Sequence, residues 1–261
     1  MTKRSLPAAA RLAAALPLAL GITLGALSEP SRARAEEGYS LEPEAIATGR
    51  FTYLTELQLG DTSMEIESVR VIAVDTVDGT PSLRVETISV TGMGKTIDRL
   101  QLHADSLYPL EREIVQGDGR LKIKYEKERV TGHVRAAGQT ISVDLVLTEP
   151  AYAGDAGLDT LLAALPLHAG LSGRLQIIET DVEVHVQAFG FSVGDSETVE
   201  VPAGSFEAWP IALQATDDPD YRQTVWLSTA TPRLFVRAEA PVPTEAGGGT
   251  LITRLIQIEQ P

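Results

Sequence analysis

Apolar and polar residues alternate with a period of two along most of the chain, the signature of half-buried β-strands. Met64 and Ile66 alternate with Glu65 and Glu67, and the run continues through Val69, Val71 and Val74. Leu83 and Val85 alternate with Arg84 and Glu86, and Leu121, Ile123 and Tyr125 with Lys122, Lys124 and Glu126. Ile141, Val143, Leu145 and Leu147 alternate with Ser142 and Asp144, and Val182, Val184 and Val186 with Asp181, Glu183, His185 and Gln187. Leu251 and Leu255 interleave with Ile252, Ile256 and Ile258, as expected of a strand buried on both faces. Turn-forming residues separate these runs at Asp78-Gly79, Gly92-Met93-Gly94, Asp118-Gly119, Ala137-Gly138, Pro202-Ala203-Gly204 and Asp217-Asp218-Pro219-Asp220. Strands joined by short turns predict an antiparallel meander.

One segment keeps a different period. Between Asp155 and Pro166, Leu158, Leu161, Leu162 and Leu165 fall at i, i+3, i+4 and i+7, one face of a helix. Asp155 is placed to cap its start and Pro166 to stop it. A lone amphipathic helix in a chain of strands must bury its stripe, and the concave face of a curved sheet is the economical place. The predicted fold is all-β: a single antiparallel, strongly curved sheet, a half-barrel, wrapped around one short amphipathic helix. No linker or fixed-period repeat divides residues 36–261, which read as one domain.

Residues 1–35 read as a secretory signal. Lys3, Arg4 and Arg11 precede the uncharged stretch from Leu12 to Leu27, and Ala33-Arg34-Ala35 supplies the small residues of a cleavage site. Pro17 and Gly21 interrupt the apolar stretch, which is shorter than the ~20 residues needed to span a bilayer. The expectation is a periplasmic or secreted protein beginning at Glu36, without a membrane span. Loss of five basic residues and one acidic residue takes the formal charge from −14 to −18.

This charge argues against a nucleic-acid groove, which needs Lys and Arg to displace counterions. Without cysteine there is no disulfide framework, thiol nucleophile or Cys-based metal site. His103, His133, His168 and His185 lie on separate elements with no metal-binding spacing. Gly170-Leu171-Ser172-Gly173 lacks the spacing of a nucleophile elbow. Gly94-Lys95-Thr96 ends like a phosphate-binding loop, but Ser89 stands where the first glycine belongs, and an alternating strand follows. Asp217, Asp218 and Asp220 crowd one turn as oxygen ligands for calcium would, or as a plain Asp-Pro turn does. The reading is of no enzyme, no metal and no cofactor.

The segments LLAALPLHAGLSGRL (161–175), VGDSETVEVPAGSFEAW (193–209) and VWLSTATPRLFVRAEA (225–240), preceded by LHADSLYPLEREI (102–114), carry a family likeness. In their order the chain resembles the DUF3108-like family of secreted bacterial proteins of unknown function, over roughly residues 50–258. That family's fold is compared with the LolA, LolB and LppX lipoprotein carriers, although this chain has no lipobox cysteine. The resemblance implies an antiparallel half-barrel around a helix and brings no catalytic residues. With it comes the functional expectation: a non-enzymatic binding protein holding an apolar, acyl-chain or lipid-like ligand between the helix and the sheet. The expected ligand-binding residues are Leu158, Leu161, Leu162, Leu165, Trp209, Ile211 and Trp226. The alternatives are an envelope structural or assembly protein that binds another protein through a fully packed domain, and an enzyme of unrecognised type.

Overall fold

The computed structural model describes residues 39–60, 62–92, 94–180, 183–218, 221–242 and 248–259. The expected signal segment and its cleavage site lie outside these residues. Eight strands open the fold: β1 (Gly49–Leu59), β2 (Thr62–Val77), β3 (Thr80–Thr91), β4 (Gly94–His103), β5 (Pro109–Gln116), β6 (Gly119–Glu126), β7 (Arg129–Ala136) and β8 (Gln139–Val146). Each pairs antiparallel with the next. A two-residue strand β9 (Tyr152–Ala153) and the helix α1 (Ala156–Ala163) follow. The second wing holds β10 (Ser172–Glu179), β11 (His185–Val193), β12 (Glu197–Val201), β13 (Gly204–Ala215), β14 (Arg222–Ser228), β15 (Phe235–Val242) and β16 (Gly249–Glu259).

All of these strands belong to one open sheet in the order β8-β7-β6-β5-β4-β3-β2-β1-β16-β15-β14-β13-β11-β10-β9, with β12 beside the first half of β13. The first and last strands, β1 and β16, pair antiparallel in the middle of this order. The expected single antiparallel sheet is corrected in one respect. β9 runs parallel to β10, because the helix between them is a crossover that returns the chain in the same direction. The sheet is therefore mixed.

The topology also limits how flat the sheet can be. β8 and β9 are its two outer strands, yet only residues 147–151 separate them. The step from Val146 to Tyr152 reaches at most ~21 Å. Laid flat at ~4.8 Å per strand, the outer strands would stand about 65 Å apart. The wings must turn toward each other, and their contacts agree. Ile114, Leu121, Ile123 and Tyr125 of the first wing share an apolar cluster with Ile178 of the second.

Alternation correctly marks the buried phase of β3 and β6, where Leu83, Val85, Leu121 and Ile123 face inward. In β2 the inward residues are Ile66 and Ile72, with Arg70 between them, while Val69 and Val71 lie on the other face. On β8 the alternation marks a half-buried face, with Val143 and Leu145 packed against the cluster that holds Ile123 and Ile178 and with Ser142 and Asp144 exposed. It is an outer strand, and Ile141 and Val146 are 62% and 67% exposed. Of the strand read from Asp181, Asp181 and Val182 lie outside the described residues, and β11 begins at His185.

The helix departs from its expected amphipathic form. All eight residues from Ala156 to Ala163 are buried, Asp159 and Thr160 included. A stripe needs a solvent side, and α1 has none. Gly157 permits the tightest contact: a Cβ there would come within 2.9 Å of both Leu100 Cδ2 and Ala153 Cβ. Asp155 makes no side-chain cap, because its carboxylate is held by an arginine of the sheet. Among the described residues no helix is long and apolar enough to cross a membrane.

Leu161 and Leu162 are 1% and 0% exposed. Leu161→Ala and Leu162→Ala are each expected to cost about 2–5 kcal/mol, as cavity-forming core changes do. Urea unfolding of the mature chain measures this; values within about ±0.5 kcal/mol, typical of surface positions, would place α1 outside the core.

Candidate functional site

The inward face of the sheet is not uniformly apolar. Strand pairing aligns Asp98 of β4 with Thr87 of β3 and Arg70 of β2, and beside that row Thr96, Ser89, Ser68 and Tyr53. Residues directly opposite in adjacent strands share a face, so two polar rows cross the interior next to α1. Between them and the helix lies a cavity of about 270 Å³. Its walls include Tyr53 and Thr55 of β1, Asp155, Leu158 and Asp159 at the helix, Glu179 of β10, Val225 of β14, Phe235 and Ala238 of β15, and Thr253 of β16. Both wings and the helix build it.

Buried charges fix this geometry. Arg112 of β5 is 1% exposed. Its Nε and Nη2 donate to the two carboxylate oxygens of Asp98 at 3.0 and 2.6 Å, Nη2 also to Asp155 at 2.8 Å, and Nη1 to the Thr180 hydroxyl at 3.0 Å. Burial works against the guanidinium charge, but Asp98 and Asp155 more than offset it and hold Arg112 well above its ordinary range. Asp155 adopts φ +49°, unusual for a residue with a Cβ. Such backbone costs of order 1–3 kcal/mol and persists where surrounding contacts impose it; the Arg112 bond is such a contact.

The second pair joins Arg70 of β2 to Asp159 of α1. The Arg70 guanidinium also lies 5.3 Å from the Tyr53 ring centre and 5.6 Å from that of Phe235. Burial pushes the Asp159 carboxyl above its ordinary value, and the attraction of Arg70 only partly opposes this. Burial likewise pushes the Tyr53 phenol up. At the other end of α1, Arg233 donates from Nη1 to the Ala163 and Leu165 carbonyls, both at 2.8 Å, and from Nη2 to Glu42 at 3.0 Å. It satisfies carbonyls that the helix end leaves unpaired, with the charge the helix dipole favours there.

The sequence profile of the DUF3108 family, described as a protein of unknown function, matches residues 50–251. The chain belongs to the DUF3108 family. The matched DUF3108 region runs from β1 into β16 and takes in every cavity residue named above except Thr253. A crystal structure of an inferred exported protein with a YmcC-like fold from Bacteroides fragilis is similar to this DUF3108 chain. It is 11% identical, covers 85% of this chain and 100% of its own, and has a TM-score of 0.39. No curated protein matches.

Of the residues expected at the site, Leu158, Leu161, Leu162, Leu165 and Ile211 share one buried cluster, with Trp209 packed against it. Only Leu158 lines the cavity. Trp226 faces the other side of the sheet, where its Nε1 donates to Glu197 at 2.6 Å and Arg237 covers its ring. In the acidic turn, Asp217 accepts from Gln187, and Asp220 lies outside the described residues. Among the described residues no three His, Asp or Glu side chains gather as a metal set. Sequence reasoning missed Arg70, Asp98, Arg112, Asp159 and Arg233. The available signal was a charge on an apolar phase: Arg112 is in step with Ile114, and Asp98 with Leu100 and Leu102.

Arg70→Ala leaves the Asp159 carboxylate buried without its counter-charge and is expected to cost about 3–5 kcal/mol at pH 7. The raised folded-state pKa of Asp159 means the native chain binds this proton more readily than the unfolded chain. The Asp159 contribution to stability therefore grows as pH falls from neutral toward the carboxylate range. Part of the Arg70→Ala loss should return at pH 5, and Asp159→Asn should abolish that recovery. Paired urea titrations at pH 7 and pH 5 test both signs.

Proposed function

We propose that this DUF3108 chain is an exported, non-enzymatic binding protein that holds a small molecule in the cavity between α1 and a half-barrel formed by the two wings. One observation carries the reading. Arg70, Thr87 and Thr96 line the cavity, and Thr87 Oγ1, Thr96 Oγ1 and Arg70 Nε are buried with no hydrogen-bond partner among the described residues. A buried polar group left unpaired costs about 1–3 kcal/mol, and a ligand that pairs with these groups removes that cost. The volume, about 270 Å³, sits just below the usual range of ligand pockets, about 300–1,000 Å³. A fully packed interior, the arrangement expected of a purely structural protein, would leave no such space. Export is supported by the basic, apolar and small-residue order of residues 1–35.

The polar walls change the expected occupant. An acyl chain in this cavity would leave the threonine hydroxyls and the arginine nitrogen unpaired. An apolar ligand finds a better match in a separate cleft of about 450 Å³ between the β4–β5 corner and residues 147–151, walled by Tyr108, Pro109, Tyr125, Leu147, Ala151 and Ile178. A protein partner is the second reading, favoured by β8, whose outer edge is unpaired in the sheet and whose Ile141 and Val146 are exposed.

Native mass spectrometry of protein taken from the envelope fraction tests the proposal. The expected result is a chain beginning at Glu36 that carries a small-molecule mass, with Thr96→Val reducing its occupancy. A bare chain overturns the binding reading; a stoichiometric protein adduct without a small molecule moves the case to β8.

A further inference from the structure

We propose that the occupant of the cavity beside α1 is a polyhydroxylated molecule of monosaccharide size, neutral or cationic; this rests on the binding reading above. The unpaired groups are of both kinds. Arg70 Nε is a donor and needs an acceptor, while Thr87 Oγ1 and Thr96 Oγ1 each donate and accept. A hydroxyl group serves all three, because it donates and accepts at once, and unlike a carboxylate or phosphate oxygen it brings no negative charge.

The surrounding surface extends the argument. Ser68 and Ser89 add further hydroxyls to the same walls, and so do Thr55 and Thr253, which are bonded to each other at 2.9 Å. The half-buried Phe235 ring adds apolar surface to the wall for the C–H edges of a pyranose. The volume excludes a long glycan and suits one ring.

Charge selects among polyols. The walls carry the carboxylates of Asp98, Asp155, Asp159 and Glu179 against the single guanidinium of Arg70, and Arg112, behind the wall, adds one more cation. The carboxylates outnumber the cations, so the interior disfavours phosphate esters and free carboxylates and tolerates or attracts an ammonium group. Sugar phosphates and uronic acids are therefore excluded, and amino sugars fit.

Saturation-transfer NMR on the mature protein tests this with four probes: glucose, glucosamine, glucose 6-phosphate and dodecanoate. Transfer to glucose and glucosamine but not to glucose 6-phosphate is expected. Thr96→Val and Thr87→Val, each isosteric within a strand and checked for folding by circular dichroism, should weaken apparent sugar affinity about fivefold or more, the factor for one lost hydrogen bond. Transfer that both variants leave unchanged overturns the assignment, because the sugar then sits elsewhere. So does stronger transfer to glucose 6-phosphate than to glucose. Transfer to dodecanoate alone overturns the polyol class while leaving the binding reading intact; transfer to none of the four, from protein that native mass spectrometry finds bare, removes both.

Discussion

Three arginines, Arg112 and Arg233 buried and Arg70 half-buried, hold α1 to the sheet, and the interior is arranged around them. Arg112 grips Asp98 on β4, Asp155 at the helix start and Thr180 after β10, so one guanidinium ties together both wings and the helix. Arg70 takes Asp159 one helical turn on. Arg233 closes the last carbonyls. An eight-residue helix is too short to persist alone in water; here the acids at its start and the arginine at its end also follow its dipole. Replacing such pairs with apolar residues of similar volume is often neutral or stabilising. Their retention here coincides with the polar cavity they border.

The curl of the sheet follows from connectivity as much as from twist. The short link between β8 and β9 carries the chain from one wing to the other, and the crossover through α1 leaves the outer strand β9 and returns beside it as β10. The helix thereby comes to lie between the wings and loses its solvent face. A cavity remains on one side because the inward rows there carry serine, threonine and charged residues instead of the leucines and valines that fill the other side.

Much of this fold was legible in the chain. Period two gave the strands, the turn residues gave most of their ends, and the 158–165 leucine spacing gave the helix. Three features were not legible. The parallel β9–β10 step rests on two residues, too few to leave a periodic signal. The burial of the whole helix depends on which strands surround it, and sequence spacing cannot report that. The charge pairing itself has no local signal, because Asp98, Arg70 and Asp159 find their partners 14 to 89 residues away. Even so, the quoted family segments contain two of the three arginines. Arg112 lies within LHADSLYPLEREI, and Arg233 within the PRL of VWLSTATPRLFVRAEA. In the folded chain Arg233 reaches the carbonyls of Ala163 and Leu165 in the LLAALPL segment, so two of the segments that carry the resemblance touch each other.

The most direct measurement is a double-mutant cycle on Arg112 and Asp98 by urea unfolding at pH 7, using Arg112→Met and Asp98→Leu. If this pair organises the interior, each single change costs about 3–5 kcal/mol, because it strands a buried charge. The double variant should then recover enough for a coupling energy of about 2 kcal/mol or more, within the range for directly contacting residues. Single changes within about ±0.5 kcal/mol that add without coupling would contradict it, and would mean that apolar packing alone holds α1 in place.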